Sequence, residues 1–244
     1  MLTSMLAFDI AQFFPSLNHC LLFLILGKTS FNSKVINFFS NYLVDRKKSY
    51  FWNNFSSNLF DVNMGVGQGS ALSSILSTLY LSLFLHILEK CLKILHLKIS
   101  ILFFINDGLL ILQSKSFHLS NARLFSSYNV ASQLLSKFGL LVEHSKTEVF
   151  YFSRSHDSFN SPPLDLSSIS RSSLVPKNTW RYLGFIFGRR LSFHQHIDFY
   201  ANKAISTVKC MKILDNSTRG LNPQQKQLLY RSCALPIALY SFQL

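Results

Sequence analysis

The sequence predicts an α+β fold, a small antiparallel sheet packed by helices, on three observations. Two apolar runs, Lys98 to Phe104 and Leu109 to Leu112, flank Ile105-Asn106-Asp107-Gly108, the pattern of a β-hairpin with a polar pair and glycine at its tip. Met5 to Phe8 is a further short apolar run ending at Asp9, which predicts a buried strand delivering a carboxylate at its C-terminal end. Long helical stretches, Ala71 to about Leu95 and Ser120 to Lys137, alternate irregularly with these strands, which disfavours a doubly wound sheet.

The remaining elements follow in order. Phe13-Phe14-Pro15-Ser16 breaks the first strand, and Asn18 is placed to cap a helix through Leu26. Asn32 or Ser33 starts another helix through Leu43. Asp45 to Lys48 is a charged turn, followed by strand-like Tyr50-Phe51-Trp52 and Leu59 to Val62. Gly65 to Ser70 is a loop opening the long helix, and Gly139 ends the later one. Val149 to Phe152 and Arg181 to Phe187 predict strands, separated by a Ser- and Pro-rich surface excursion from Ser153 to Lys177. Phe199 to Leu214 and Pro223 to Ile237 predict closing helices.

Composition narrows the class. Lys and Arg number 24 against 11 Asp and Glu, a net charge of +13, while 48% of residues are hydrophobic and 24 are Phe. Such a chain buries a sizeable core and is no disordered tail. A basic surface on a greasy core suits a polyanion partner. Four dispersed cysteines (Cys20, Cys91, Cys210, Cys233) lack any CxxC pair, so the expectation is reduced, mostly buried thiols, with no zinc site and no disulfide-linked partner. His194 and His196 have no Cys or paired acids at metal spacing. The stretch Val62 to Leu88 has no Asp, Glu, Lys or Arg, long enough for a bilayer. Its first part is rich in Gly, Asn and Ser and only Leu76 to Leu88 is apolar, so a buried helix is expected, with no membrane span. Met1 to Ile10 reaches an Asp within nine residues and has no basic start, so no signal peptide is expected and the location is intracellular, nucleus or cytoplasm.

Three segments carry chemistry in one order: A-F-D-I-A-Q-F-F-P-S around Asp9, G-V-G-Q-G-S-A-L-S at 65–73, and F-F-I-N-D-G on the hairpin. This order resembles motifs A, B and C of the reverse transcriptase palm of LINE-type (non-LTR) retrotransposons. Gly139-Leu140-Leu141 with Lys146-Thr147-Glu148 is similar to motif D. Trp180-Arg181-Tyr182-Leu183-Gly184, then Leu191-Ser192-Phe193 and His196, is similar to motif E and the start of the thumb. Each motif alone is weak; five in order are specific.

The resemblance implies a right-hand polymerase palm over residues 1–190 (motifs A to E) and the start of thumb or connection helices over 191–244, with the fingers missing. It implies RNA-directed DNA synthesis on a primer 3′-OH, with an RNA template, a DNA primer and deoxynucleotides as partners. Nucleotidyl transfer of this kind uses two divalent ions ~4 Å apart, and Mg²⁺ takes carboxylates plus substrate phosphates. Asp9 would be the first ligand, with Asp107 the other acid at the site. Phe14, five residues after Asp9, matches the ring that blocks a ribose 2′-OH; Phe13 and Phe14 are otherwise core rings. Gln68, Gly69 and Ser70 match the segment lying against nucleotide and template. Lys146 matches a basic residue that protonates pyrophosphate or contacts the triphosphate; the plain alternative is a solvated Lys.

The chain departs from the family at the hairpin, where the first acid of Tyr/Phe-x-Asp-Asp is Asn106. An amide oxygen brings no charge, and Asp107, its neighbour on the tip, is expected to point elsewhere. Removing one unit charge beside two ions costs on the order of several kcal/mol at an effective ε of ~20, or ~10³-fold in rate. The expected outcome is an impaired polymerase, the alternative a catalytically dead remnant with at most nucleic-acid binding. Ser74 replaces a common Pro, and Gly188 a common Asp. Only eight residues precede Asp9, so a fragment cut before its fingers and again within its thumb is expected. Arg46-Lys47-Lys48 beside Tyr50 and Trp52, and Lys203, Lys209 and Lys212 on the helix expected from Phe199 to Leu214, are candidate phosphate contacts, the plain alternative for the last three being a solvated helix face.

Overall fold

The computed structural model describes residues 2–153, 161–170, 173–212 and 220–240. The chain divides into two compact units, residues 1–151 with 159–176, and residues 152–158 with 177–244.

The first unit is built on β1 (Leu2–Ala11), whose even-numbered residues Leu2, Ser4, Leu6, Phe8 and Ile10 are buried while the odd-numbered ones are half-exposed. That period-2 pattern puts Asp9 on the accessible face. The one-turn α1 (Phe13–Ser16) follows, entered through Gln12 at φ 45°. Asn18 caps α2 (His19–Lys28) by accepting from the Leu21 amide at 3.1 Å, and Asn32 caps α3 (Ser33–Leu43) by accepting from Lys34 at 3.0 Å. Four two-residue strands come next: β2 (Lys47–Lys48), β3 (Phe51–Trp52), β4 (Phe55–Ser56) and β5 (Phe60–Asp61). The Asn53-Asn54 turn between β3 and β4 makes a hairpin inside what had looked like two separate strands.

The long α4 (Ala71–Ile94) has 24 residues and matches the helix expected from Ala71 to about Leu95. It is the one helix among the described residues long and apolar enough to cross a membrane. Leu76, Tyr80, Phe84, Leu88 and Leu92, at i, i+4 spacing, are buried against the rest of the unit, as in a core helix. The hairpin β6 (Ser100–Phe104) and β7 (Asp107–Ser114) turns on Ile105 and Asn106 alone; Asp107 and Gly108 are already in the strand. Helix α5 (Phe117–Lys137) is capped by Ser116 and ends before Gly139, which takes φ 73°. Strand β8 (Leu141–Phe152) is much longer than the Val149 to Phe152 segment predicted. The central sheet has the order β6-β7-β1-β8, with β6, β7 and β1 antiparallel.

Aromatic packing lies directly beneath the hairpin tip. The Phe8 ring meets Phe103 and Tyr128 edge-to-face at 5.6 and 5.7 Å. Gly108 makes room for it: a Cβ there would lie 2.5 Å from the Phe8 ring and 2.8 Å from the Phe103 ring.

The predicted surface excursion is corrected in part. Residues 154–160 and 171–172 lie outside the described ones, but β9 (Leu164–Asp165), α6 (Ser167–Ser170) and β10 (Ser173–Leu174) form a small structured insert. Its Leu164 and Leu166 belong to the core. Ser and Pro content concealed these two anchors.

In the second unit, the strand predicted over Arg181 to Phe187 is a hairpin, β11 (Thr179–Tyr182) and β12 (Phe185–Gly188), turning on Leu183 at φ 47° and Gly184 at φ 86°. Helix α7 (His194–Met211) begins earlier than Phe199; the predicted end at Leu214 lies outside the described residues. Asn222 and Gln225 form a reciprocal capping box at the start of α8 (Pro223–Leu229), which continues through a π-helical turn, Tyr230–Ala234, into α9 (Leu235–Ala238). His196 is buried, its Nδ1 accepting from the Ile186 amide at 3.3 Å, which ties α7 to the hairpin. The cysteines are not buried as expected: Cys20 and Cys210 are exposed and Cys91 and Cys233 partly so.

Candidate active site

Asp9 and Asp107 are direct partners in the β1–β7 register. Residues directly opposite in an antiparallel pair project from the same face, so the hairpin keeps Asp107 beside Asp9 rather than turning it away. The Asp107 carboxyl titrates above its ordinary value, first because it is partly buried, then because of Asp9's negative charge, against an opposing effect of Lys146.

Asn106 occupies the turn. Its Nδ2 donates to Asp9 Oδ1, and its backbone oxygen accepts from the Ile10 amide at 3.1 Å, which ties the tip to β1. Ile105 before it sits at φ 57°, a region unfavourable to a β-branched side chain and typical of a primed hairpin turn. From β8, Lys146 Nζ donates to Asp9 Oδ2 at 2.6 Å. That bond and Asp9's charge raise the affinity of Lys146 for its proton. Both Asp9 oxygens are therefore engaged, one by an amide and one by an ammonium.

The glycine loop is fastened to the segment after Asp9. Val66 N donates to Phe14 O and Gly65 N to Leu17 O, each at 2.8 Å. Gly65 has φ 76°, and a Cβ there would lie 2.5 Å from the Pro15 carbonyl oxygen. Phe14 is half-buried beside Phe13, their rings 5.5 Å apart. Gln68 and Gly69 are exposed, and Ser70 Oγ shares a hydrogen bond with Tyr42 OH at 3.0 Å. Ser73 Oγ donates to Gly67 O at 2.6 Å.

Sequence reasoning missed several supports of this region. His19 Nε2 donates to Gly65 O at 2.6 Å, a bond that fixes the proton on that nitrogen. The Arg46 guanidinium lies over the Tyr42 ring at 5.4 Å, and its Nη2 is where a Gly67 Cβ would come within 3.3 Å. Tyr128 OH bonds His144 Nδ1 at 2.7 Å and Thr147 Oγ1 at 3.1 Å, bracing β8 near Lys146. Apart from the Tyr42–Arg46 pair, four residues apart, these pairings have no sequence signal beyond residue type, since each joins positions far apart in the chain.

The donor set decides what can bind here. Among the described residues, no three His, Cys, Asp or Glu side chains come together as a metal cluster. Two carboxylates on one face, the second held protonated more readily by burial and then by the first, make a locus that a divalent cation would relieve.

The chain belongs to the reverse transcriptase (RNA-dependent DNA polymerase) family, which it matches over residues 2–187. Its fold is similar to apo telomerase from Candida tropicalis truncated from the C-terminal domain, with TM-score 0.55 at 18% identity over 79% of this chain and 35% of that one. It is also similar to telomerase from Candida tropicalis in complex with a TWJ fragment of telomeric RNA, with TM-score 0.55 at 17% identity over 99% of this chain and 40% of that one. The chain thus spans well under half the length of these structures. No curated protein sequence matches it.

Proposed function

We propose that this chain is the palm, residues 1–190, and the beginning of the thumb, residues 191–244, of a LINE-type RNA-directed DNA polymerase whose activity is impaired at Asn106. The observation that carries the reading is Asp9 on the accessible face of β1, directly across from Asp107 on a hairpin tip and bonded to Lys146. The partners are an RNA template, a DNA primer and deoxynucleotides, inside the cell in nucleus or cytoplasm.

Asp9 and Asp107 are the residues that would hold Mg²⁺. The bound ion would supply Lewis-acid polarisation of the phosphates and a more acidic primer hydroxyl. Asn106 Nδ2 holds the Asp9 carboxylate in place, but only its Oδ1 can meet a cation, and that requires the amide to turn over. Lys146 keeps its proton at neutral pH and is placed to pass it to a leaving pyrophosphate or to pair with the triphosphate. Phe14 would exclude a 2′-hydroxyl, and the bare backbone at Gly69, with Gln68 and Ser70, would lie against the incoming nucleotide.

Primer extension on an RNA template with Mg²⁺ tests the proposal. Weak extension abolished by Asp9→Ala supports it; extension that survives Asp9→Ala removes Asp9 from the chemistry. The specific observation favouring a non-catalytic remnant is that both Asp9 oxygens are already engaged by Asn106 and Lys146. On that reading the parent chain and Asn106→Asp are both inactive while RNA binding persists.

A further inference from the structure

A second constellation lies outside the Asp9 cluster, on the chain between α3 and the glycine loop. Residues 47–61 form one hairpin from two ladders, Lys47↔Asp61 with Lys48↔Phe60, and Phe51↔Ser56 with Trp52↔Phe55. Between the ladders, Ser57 N donates to Tyr50 O at 2.9 Å and Tyr50 N donates to Ser57 Oγ at 2.8 Å. Asn53 and Asn54 turn the tip at φ 40° and 67°, a left-handed pair that asparagine tolerates.

The side chains on this hairpin are the reverse of what folding favours. Phe51 is 78% exposed, Trp52 77% and Phe55 65%. Trp52 and Phe55 face each other across the ladder and so project from one face. Tyr50, also exposed, stacks on Phe60 with ring centroids 5.2 Å apart and planes 26° apart. Lys47 and Lys48 are exposed at the base, and neither forms an ion pair among the described residues. Such a patch of rings left in water marks a binding surface. A protein partner's interface would be depleted of lysine. Aromatic rings interleaved with cations are instead how proteins hold single-stranded nucleic acid, since every base has a π-face and every linkage a phosphate. The net charge of +13 favours the same partner.

We infer that the 47–61 hairpin is a stacking platform for an unpaired stretch of RNA, with bases on Trp52, Phe55 and Tyr50 and phosphates on Lys47 and Lys48. The choice of RNA rests on the proposed polymerase reading; the platform itself stands on the exposed rings and charges. A duplex hides its base faces and cannot use this surface.

Trp52 is the exposed one of two tryptophans, Trp180 being 4% exposed, so fluorescence quenching reports on the hairpin. The full chain is titrated without metal or nucleotides with a single-stranded RNA of about ten nucleotides, its DNA counterpart and the matching RNA duplex. Quenching by the single strand is expected, with the duplex at least about tenfold weaker. By anisotropy of labelled RNA, Trp52→Ala and Phe55→Ala each weaken binding about tenfold, with far-UV dichroism unchanged. Lys47→Gln and Lys48→Gln each lower the salt slope by about 0.7. Equal affinity for duplex and single strand, or unchanged affinity in the Trp52→Ala Phe55→Ala variant, overturns the platform. A preference for the DNA strand overturns the RNA assignment, and a dimer abolished by the same double variant assigns the face to a second copy instead. Because no catalysis is read, failed primer extension removes only the ground for choosing RNA and leaves the platform standing, and failed quenching leaves the polymerase proposal standing.

Discussion

Asn106→Asp places a third carboxylate at the site, where an amide now donates to Asp9 Oδ1 and where Asp107, the next residue, already faces Asp9. Two unit charges ~4 Å apart repel by about 1 kcal/mol in water and about 4 kcal/mol at an effective ε of ~20. Residue 106 is half-exposed in the turn, and the Lys146 ammonium, 65% exposed and bonded to Asp9, offsets part of the new charge. The lower end therefore applies, about 1–2 kcal/mol, and the lost hydrogen bond adds about 1 kcal/mol. With a divalent cation the sign reverses. The ion's double charge makes the added carboxylate worth about 2–4 kcal/mol after the same screening, or about 30- to 1000-fold in affinity. The assay is Mn²⁺ binding, read as loss of the free-ion paramagnetic resonance signal, beside thermal melts in chelator and in Mn²⁺. The variant should melt below the parent in chelator and gain more from Mn²⁺. Mn²⁺ affinity within about threefold of the parent's, with no difference in melting, would refute the electrostatic account of residue 106.

Two further outcomes follow from packing and burial. Gly108→Ala drives a methyl against the Phe8 and Phe103 rings and should cost about 1–3 kcal/mol, seen as a lower denaturant midpoint at unchanged slope; an unchanged midpoint means the rings yield freely. Tyr151 donates to Asn121 Oδ1 at 2.6 Å, and burial pushes its phenol up to about 12. Folding favours the neutral phenol, so this stabilising contribution is complete below the ordinary tyrosine range and is lost as pH rises through about 12. Tyr151→Phe should remove one late-ionising phenol from the alkaline absorbance titration and lessen alkaline unfolding.

The parts of the fold legible in the sequence are those carried by local physics. Asn18 and Asn32 announced their helices because capping is decided within a few residues. Asp9 was legible as a strand-borne acid because the apolar run beside it is short and ends there. Register was not legible: whether Asp107 faces Asp9 depends on a turn that closes on Ile105 and Asn106, with Ile105 in a conformation its side chain opposes. Nor was the Leu183-Gly184 turn, whose first residue is an unexpected type for positive φ and hid a hairpin inside one apolar run. Leu164 and Leu166 were masked by their neighbours' composition, although a lone leucine in a polar stretch is an economical anchor. Lys146 was singled out, but its bond to Asp9 spans 137 residues of chain and only the folded sheet makes it.

That bond gives the molecule a resident counter-ion. A carboxylate set opposite a second acid ordinarily needs a nearby cation to offset the repulsion between them. Here the lysine ammonium and the asparagine amide balance Asp9 from within the chain. Charge balance at Asp9 is therefore supplied by two residues brought to it from the hairpin turn and from β8.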